Sequence, residues 1–145
     1  MIRLVFMLRR KPETSLAGFQ DYWRNRHGPL VASYATDLDI FRYVQNHTLD
    51  DPLNDALIKA RGGDMEPAYD GVAELWWENE AAFASAMATE QGRAAGAALL
   101  ADEATFIDLP NSPLHIGHEY PQVNPSPETI SARVNSDILK LYFPN

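Results

Sequence analysis

The chain has 145 residues, enough for one domain around one core. Its formal net charge is −8, from 12 Lys and Arg against 20 Asp and Glu. That balance argues against nucleic acid and anionic membrane surfaces, both of which need clustered cations. The absence of cysteine removes disulfides, thiolate metal sites and a Cys nucleophile. No signal peptide is evident, and no apolar run approaches the roughly 20 residues of a membrane span. A cytoplasmic protein is the expectation.

Alternation and β-branched residues predict a first strand over Ile2–Arg9, with Ile2, Leu4, Phe6 and Leu8 on one face and Val5 and Met7 on the other. Arg9-Arg10-Lys11 follows, and three adjacent cations are expected to solvate a turn. Thr14 or Ser15 can cap the next helix, along which Leu16, Phe19, Tyr22, Trp23 and Arg26 keep helical spacing. Gly28-Pro29 interrupts that stripe, so a kink or restart is expected at His27–Pro29, with a short second helix reaching about Thr36.

Asp39–Leu49 reads as the second strand, placing Phe41, Tyr43, Gln45 and His47 on one face and Ile40, Val44 and Thr48 on the other. Asp50–Tyr69 is an insertion, expected as a surface loop with a short helix at Leu53–Lys59 before Gly62-Gly63. The third strand is Asp70–Glu78, with Val72, Glu74 and Trp76 opposite Ala73, Leu75 and Trp77. Asn79 caps a helix to about Thr89, an Ala-rich helix spans Glu90–Ala101, and Pro113–Tyr120 is the fourth strand.

The order β-α-β-β-α-β is that of an α+β, ferredoxin-like sandwich. Strands apolar on both faces, with helices for only one, call for a second cover. A homodimer pairing sheet against sheet meets that need; the alternative is that the tail after Tyr120 covers the face. Beyond Val123, Pro125 and Pro127 stiffen a spacer. Ile130, Val134, Ile138 and Leu141 then space an apolar stripe over Thr129–Leu141, which needs a surface on its own domain or a partner's.

Several ordered blocks resemble the EthD-like family of dimeric α/β-barrel proteins. They are the strand Ile2–Arg10, Phe19-x-x-Tyr22-Trp23-x-x-x-His27-Gly28-Pro29-Leu30, Tyr43-x-Gln45-Asn46-His47, Tyr69-Asp70-Gly71-Val72-Ala73-Glu74-Leu75-Trp76-Trp77, and Asp102-Glu103-x-x-Phe106-Ile107-Asp108. The resemblance covers residues 1–123 as one domain and leaves 124–145 as an extension. It implies a protomer that dimerises through its sheets, with a pocket between sheet and helices. Its wider superfamily includes polyketide cyclases, muconolactone isomerases, cofactor-free monooxygenases and fungal dehydratases.

His27 is the leading acid–base candidate, because imidazole titrates near neutral pH; the structural alternative is a helix cap. Tyr43 and His47 share a strand face at roughly 13 Å separation along the strand, far enough to bracket a bicyclic or phenolic ligand. Otherwise Tyr43 is core and His47 a solvated strand end. Glu74, if buried, would have a raised pKa or need a partner, which either histidine could be; the alternative is an exposed strand Glu. Phe6, Trp23 and Trp76 can wall an aromatic substrate or simply fill the core. His115 and His118 alternate in face and cannot share a metal, while His27, His47 and Glu74 could only if they meet. No metal, flavin or haem is expected. The function expected is acid–base chemistry without a cofactor on a hydrophobic carbonyl, lactone or phenolic compound: isomerisation, dehydration or cyclisation. The alternatives are a cofactor-free oxygenase acting on a phenol, and a non-catalytic small-molecule-binding or stress-associated dimer.

Overall fold

The structure is a computed structural model that describes residues 1–123. The expected helix over Thr129–Leu141 and its extension lie outside the described residues. Four strands, β1 (Ile2–Leu8), β2 (Arg42–His47), β3 (Gly71–Trp77) and β4 (Leu114–His118), form one antiparallel sheet in the order β2-β3-β1-β4. This is the ferredoxin-like topology: the first strand lies inside, and each half contributes one central and one edge strand. In β1, Ile2, Phe6 and Leu8 are buried beneath the helices, as the alternation requires.

Helix α1 (Leu16–Tyr22) starts at Ser15, whose hydroxyl accepts the Gly18 N–H at 3.1 Å. Instead of a break at Gly28-Pro29, the helix widens into a π-helical turn, Trp23–His27, and continues as α2 (Gly28–Ser33). The wider turn needs a bond from Gly28 N–H to the Trp23 carbonyl, five residues back. Pro29 then falls in the first turn of α2, where its missing N–H costs little. Phe19, Trp23 and His27, each four residues apart, are the buried positions, and Arg26, expected on that stripe, is exposed. Helix α2 ends at Ser33 rather than Thr36, and β2 starts at Arg42 rather than Asp39. Asp39 has φ 51°, a left-handed turn that ends the extended backbone there, and Phe41 beyond it is 70% exposed.

Helix α3 (Leu53–Lys59) occupies the insertion as expected. The Arg9-Arg10-Lys11 cations do more than solvate a turn. Arg9 stacks on the Tyr69 ring at 4.2 Å and donates to the carbonyls of Pro67 and Ala68, and Arg10 pairs with Asp70. The two arginines thus tie the exit of the insertion to the end of β1.

Helices α4 (Glu80–Ala88) and α5 (Glu90–Phe106) meet at Thr89, whose extended backbone ends one and whose hydroxyl caps the other. Helix α5 runs five residues beyond the expected Ala101. Its row Ala95, Leu99, Glu103 repeats every fourth residue and faces inward. A short 3₁₀ turn, Leu109–Asn111, leads into β4. One core cluster joins Phe6, Leu8, Phe19, Trp23, Ala73, Phe106 and Ile107; a second joins Val31, Leu38, Ala95 and Leu99. Tyr43 and Leu75 pack against both and mark the seam between them.

Candidate functional site

The seam is built around Trp23. The side chain is 1% exposed, sits beside Phe19 at 5.6 Å between ring centres, and stacks on His47 at 4.5 Å. Gly71 makes room for it: a Cβ there would lie 2.4 Å from the Trp23 ring. Gly28 does the same for Gln45, whose amide nitrogen would be 3.0 Å from an added Cβ.

That amide organises one half of the site. Gln45 Nε2 donates to the Trp23 carbonyl and to the Tyr43 hydroxyl, each at 2.9 Å. The Tyr43 oxygen also accepts from Trp23 Nε1 at 3.1 Å. Two donors on the phenol oxygen occupy its lone pairs and leave its own hydrogen free to donate elsewhere. Burial pushes the phenol up to about 12, against the pull of those two bonds and with the Glu103 charge adding to it. His47 Nε2 lies 2.9 Å from Gln45 Oε1 and so carries the proton donated to it. Burial, then the charge of Arg24, lowers the pKa of His47 from its ordinary value. Tyr43 and His47 therefore do not bracket an open space; Gln45, between them on the same strand face, links the two.

The other half joins helix to helix. Asp102 of α5 takes the Tyr22 hydroxyl on Oδ1 and faces His27 Nδ1 with Oδ2, both at 2.7 Å. A carboxylate only accepts, so Nδ1 carries the proton and Nε2 keeps its lone pair. His27 is 4% exposed and packs against the Phe106 ring at 5.2 Å. Burial lowers its pKa and outweighs the hydrogen bond and charge of Asp102, which act the other way. Among the described residues Nε2 has no hydrogen-bond partner.

Asp102 and Glu103 were not among the candidates read from the sequence as chemical groups. Glu103 is half-buried at the end of the row Ala95–Leu99. Burial, then the adjacent Asp102 charge, raises its carboxyl to about 7. A carboxylate continuing an apolar helical row is a readable signal, but it appears only if α5 is carried past Ala101. Gln45 likewise stood in a quoted block without a role.

Glu74 and Trp76 do not join this site. They lie on the opposite, open face of the sheet, as strand alternation from Ala73 requires. The partner of Glu74 is Arg3, at 3.1 Å, and not a histidine; Arg3 also bridges to Glu119 at 3.0 Å. Trp76 is covered by the guanidinium groups of Arg3 and Arg42 and donates Nε1–H to Glu119 at 2.9 Å. Arg3, Arg42, Val44, Glu74 and Trp76 line a hollow of about 510 Å³ on that face. Phe6 stays on the helix side, in the first core cluster with Trp23. His118 pairs with Glu80 at 3.1 Å and faces the helices, while His115 lies on the open face. Among the described residues no three His, Asp or Glu side chains are placed to share a metal ion.

Comparison with solved structures finds the same fold. An EthD family protein from Bacillus halodurans C-125 matches with a TM-score of 0.54 at 22% identity, over 83% of this chain and 99% of the other. An EthD-like protein from Ralstonia eutropha JMP134 matches with a TM-score of 0.57 at 18% identity, over 85% and 95%. HapK from Hahella chejuensis matches with a TM-score of 0.50 at 14% identity, over 87% and 99%. Comparison with curated proteins gives no significant match. The family model for the EthD domain matches residues 11–110, more than two-thirds of the 145, and so takes in His27, Tyr43, His47, Asp102 and Glu103; the chain belongs to the EthD domain family.

Proposed function

We propose that the protein is a small acid–base enzyme working without a cofactor on an uncharged, hydrophobic carbonyl or phenolic compound. The observation that carries this reading is the chain Tyr22–Asp102–His27, two bonds of 2.7 Å that fix one imidazole tautomer. Asp102 holds the proton on Nδ1, and the lowered pKa keeps Nε2 unprotonated near neutral pH. An unprotonated nitrogen can take a proton from a carbon beside a carbonyl. The C–H electron pair then forms the carbon–carbon double bond of an enolate, and the former π pair moves to oxygen. The unspent Tyr43 hydrogen suits that oxygen as a donor. Return of the proton to another atom gives isomerisation; departure of a hydroxyl gives dehydration. Trp23 and Phe6 support the apolar side of the seam, and His47 acts through Gln45 by holding its amide in place.

The reading has two copies of the chain joined through their open sheet faces, since the described helices cover only the other face. The reaction class is tested with 2-tetralone, an uncharged ketone with acidic C–H bonds. Its deuterium uptake in buffered D₂O is followed by NMR, with and without protein and with His27→Gln. Protein-dependent uptake that His27→Gln removes supports the reading; uptake at the buffer rate refutes it.

A further inference from the structure

We propose that the segment 127–141 docks as an amphipathic helix on the helix side of β4 of its own chain, over Leu114 and Ile116. The inference is independent of the acid–base reading.

The observation that carries it is an uncovered strip of sheet. Leu114 and Ile116 stand opposite Phe6 and Leu4 of β1 in the ladder. Residues directly opposite each other share a face, so both lie on the side where Phe6 is buried. Phe6 is 8% exposed there, yet Leu114 is 55% and Ile116 44% exposed. Among the described residues of the four strands, these two are the exposed large apolar side chains. The helix layer therefore stops short of this edge strand. It meets β4 at its end, where Glu80 at the start of α4 pairs with His118. A second copy set against the open face leaves the strip bare, since the strip lies on the other side of the sheet.

The sequence that follows β4 supplies the cover. Wound as a helix, Ile130, Val134, Ile138 and Leu141 fall within about 80° of one another, while Arg133, Ser136 and Lys140 turn away. Ahead of them, Ser126-Pro127-Glu128 offers a capping hydroxyl, a proline for the first turn and an acid for the positive helix end. A helix over 127–141 would be about 22 Å long, against roughly 17 Å for the 5 residues of β4. Residues 119–126 can stretch to about 26 Å, enough to return the chain along the strand it has just left. Leu53, Leu57 and Met65 of the insertion are exposed too, but the insertion joins the sheet at the far end. It enters β3 at Gly71, opposite Leu8, whereas β4 ends at His118, opposite Ile2.

The chain has no cysteine, so an introduced thiol reports on one position alone. Ile116→Cys is labelled with iodoacetamide in the folded full chain, and again with Ile130→Ser, Val134→Ser and Ile138→Ser added. Those three changes remove the stripe and leave the charge as it was. The thiol should react roughly tenfold more slowly with the stripe intact, because the reagent then reaches it only through local opening. Leu114→Cys should behave alike, and it serves if Ile116→Cys does not fold. Val44→Cys, on the open face, should react at a rate that the serine changes do not alter. Equal rates at the β4 thiols with and without the stripe overturn the proposal. So does a serine effect at Val44→Cys alone, which would put the segment on the open face. In a last arm, Ile116→Cys with the serine tail is mixed with excess wild-type protein. Labelling that stays fast supports docking within the chain; slow labelling restored by the wild-type copies would put the segment on a neighbour and overturn it.

Discussion

His27 and Asp102 lie 75 residues apart in sequence and 2.7 Å apart in space, Nδ1 against Oδ2. His27 ends the π-helical turn and lies, unlike Arg26, on the buried side of the helix. Asn at 102 would offer one acceptor where two donors point, and would press an NH₂ group against the other. Asp102→Asn should therefore lower the unfolding free energy by about 2–3 kcal/mol, the range for losing a buried charge-assisted bond. Urea unfolding at pH 7 measures it. An unchanged midpoint would mean that the chain Tyr22–Asp102–His27 is not formed in solution.

The Glu103 carboxyl gives a prediction of opposite sign. Its folded pKa of about 7 lies above the ordinary 4.5, so the folded state holds this proton more tightly than the unfolded one. The stability it contributes is present below pH 4.5 and is lost as pH rises through about 7. Glu103→Gln, neutral at all pH values, should be more stable than the parent at pH 8, on the order of 2 kcal/mol, and nearly equal to it at pH 4. Melting temperatures at the two pH values check this. A residue whose neutralisation stabilises the fold fits a group kept for chemistry.

Gly71 is the packing counterpart. A methyl there would lie 2.4 Å from the Trp23 ring and 3.0 Å from the Asn46 carbonyl, so neither side has room. Gly71→Ala should cost about 3 kcal/mol by overpacking. It should also disturb the Trp23–His47 stack, visible as a change in tryptophan fluorescence. Wild-type stability and an unchanged spectrum would show that the strand can move away from the ring.

The open sheet face leads to a prediction about assembly. Light scattering at micromolar concentration should give twice the 16.2 kDa chain mass. The face carries Val5, Val44 and Val72 beside the ion pairs of Arg3 with Glu74 and Glu119. A monomer at that concentration would leave the face without its proposed cover.

Strand alternation and helix spacing made the fold legible: Ile2, Phe6 and Leu8 declared the inner face of β1, and Ser15, Asn79 and the insertion helix fell where their chemistry put them. The site was half legible. Tyr43 and His47 were on the right face by parity, but the same parity puts Glu74 and Trp76 on the other side of the sheet. Pairing either with a histidine required knowing which face the helices cover. Asp102 reaches His27 only because α5 continues to Phe106, and Ala-rich helices give weak signals for where they stop. A π-helical turn has no local sequence signature to set against a proline kink.

The central claim is that His27 Nε2 takes a proton from carbon. It is tested most directly by the pH dependence of deuterium uptake into 2-tetralone, measured for the wild-type protein and for His27→Gln. The account predicts a rate that rises with pH and levels off below pH 6.5, since burial lowers the His27 pKa from that value, and a loss of at least tenfold in the variant at pH 7. A His27→Gln protein that folds and exchanges at the wild-type rate would contradict it.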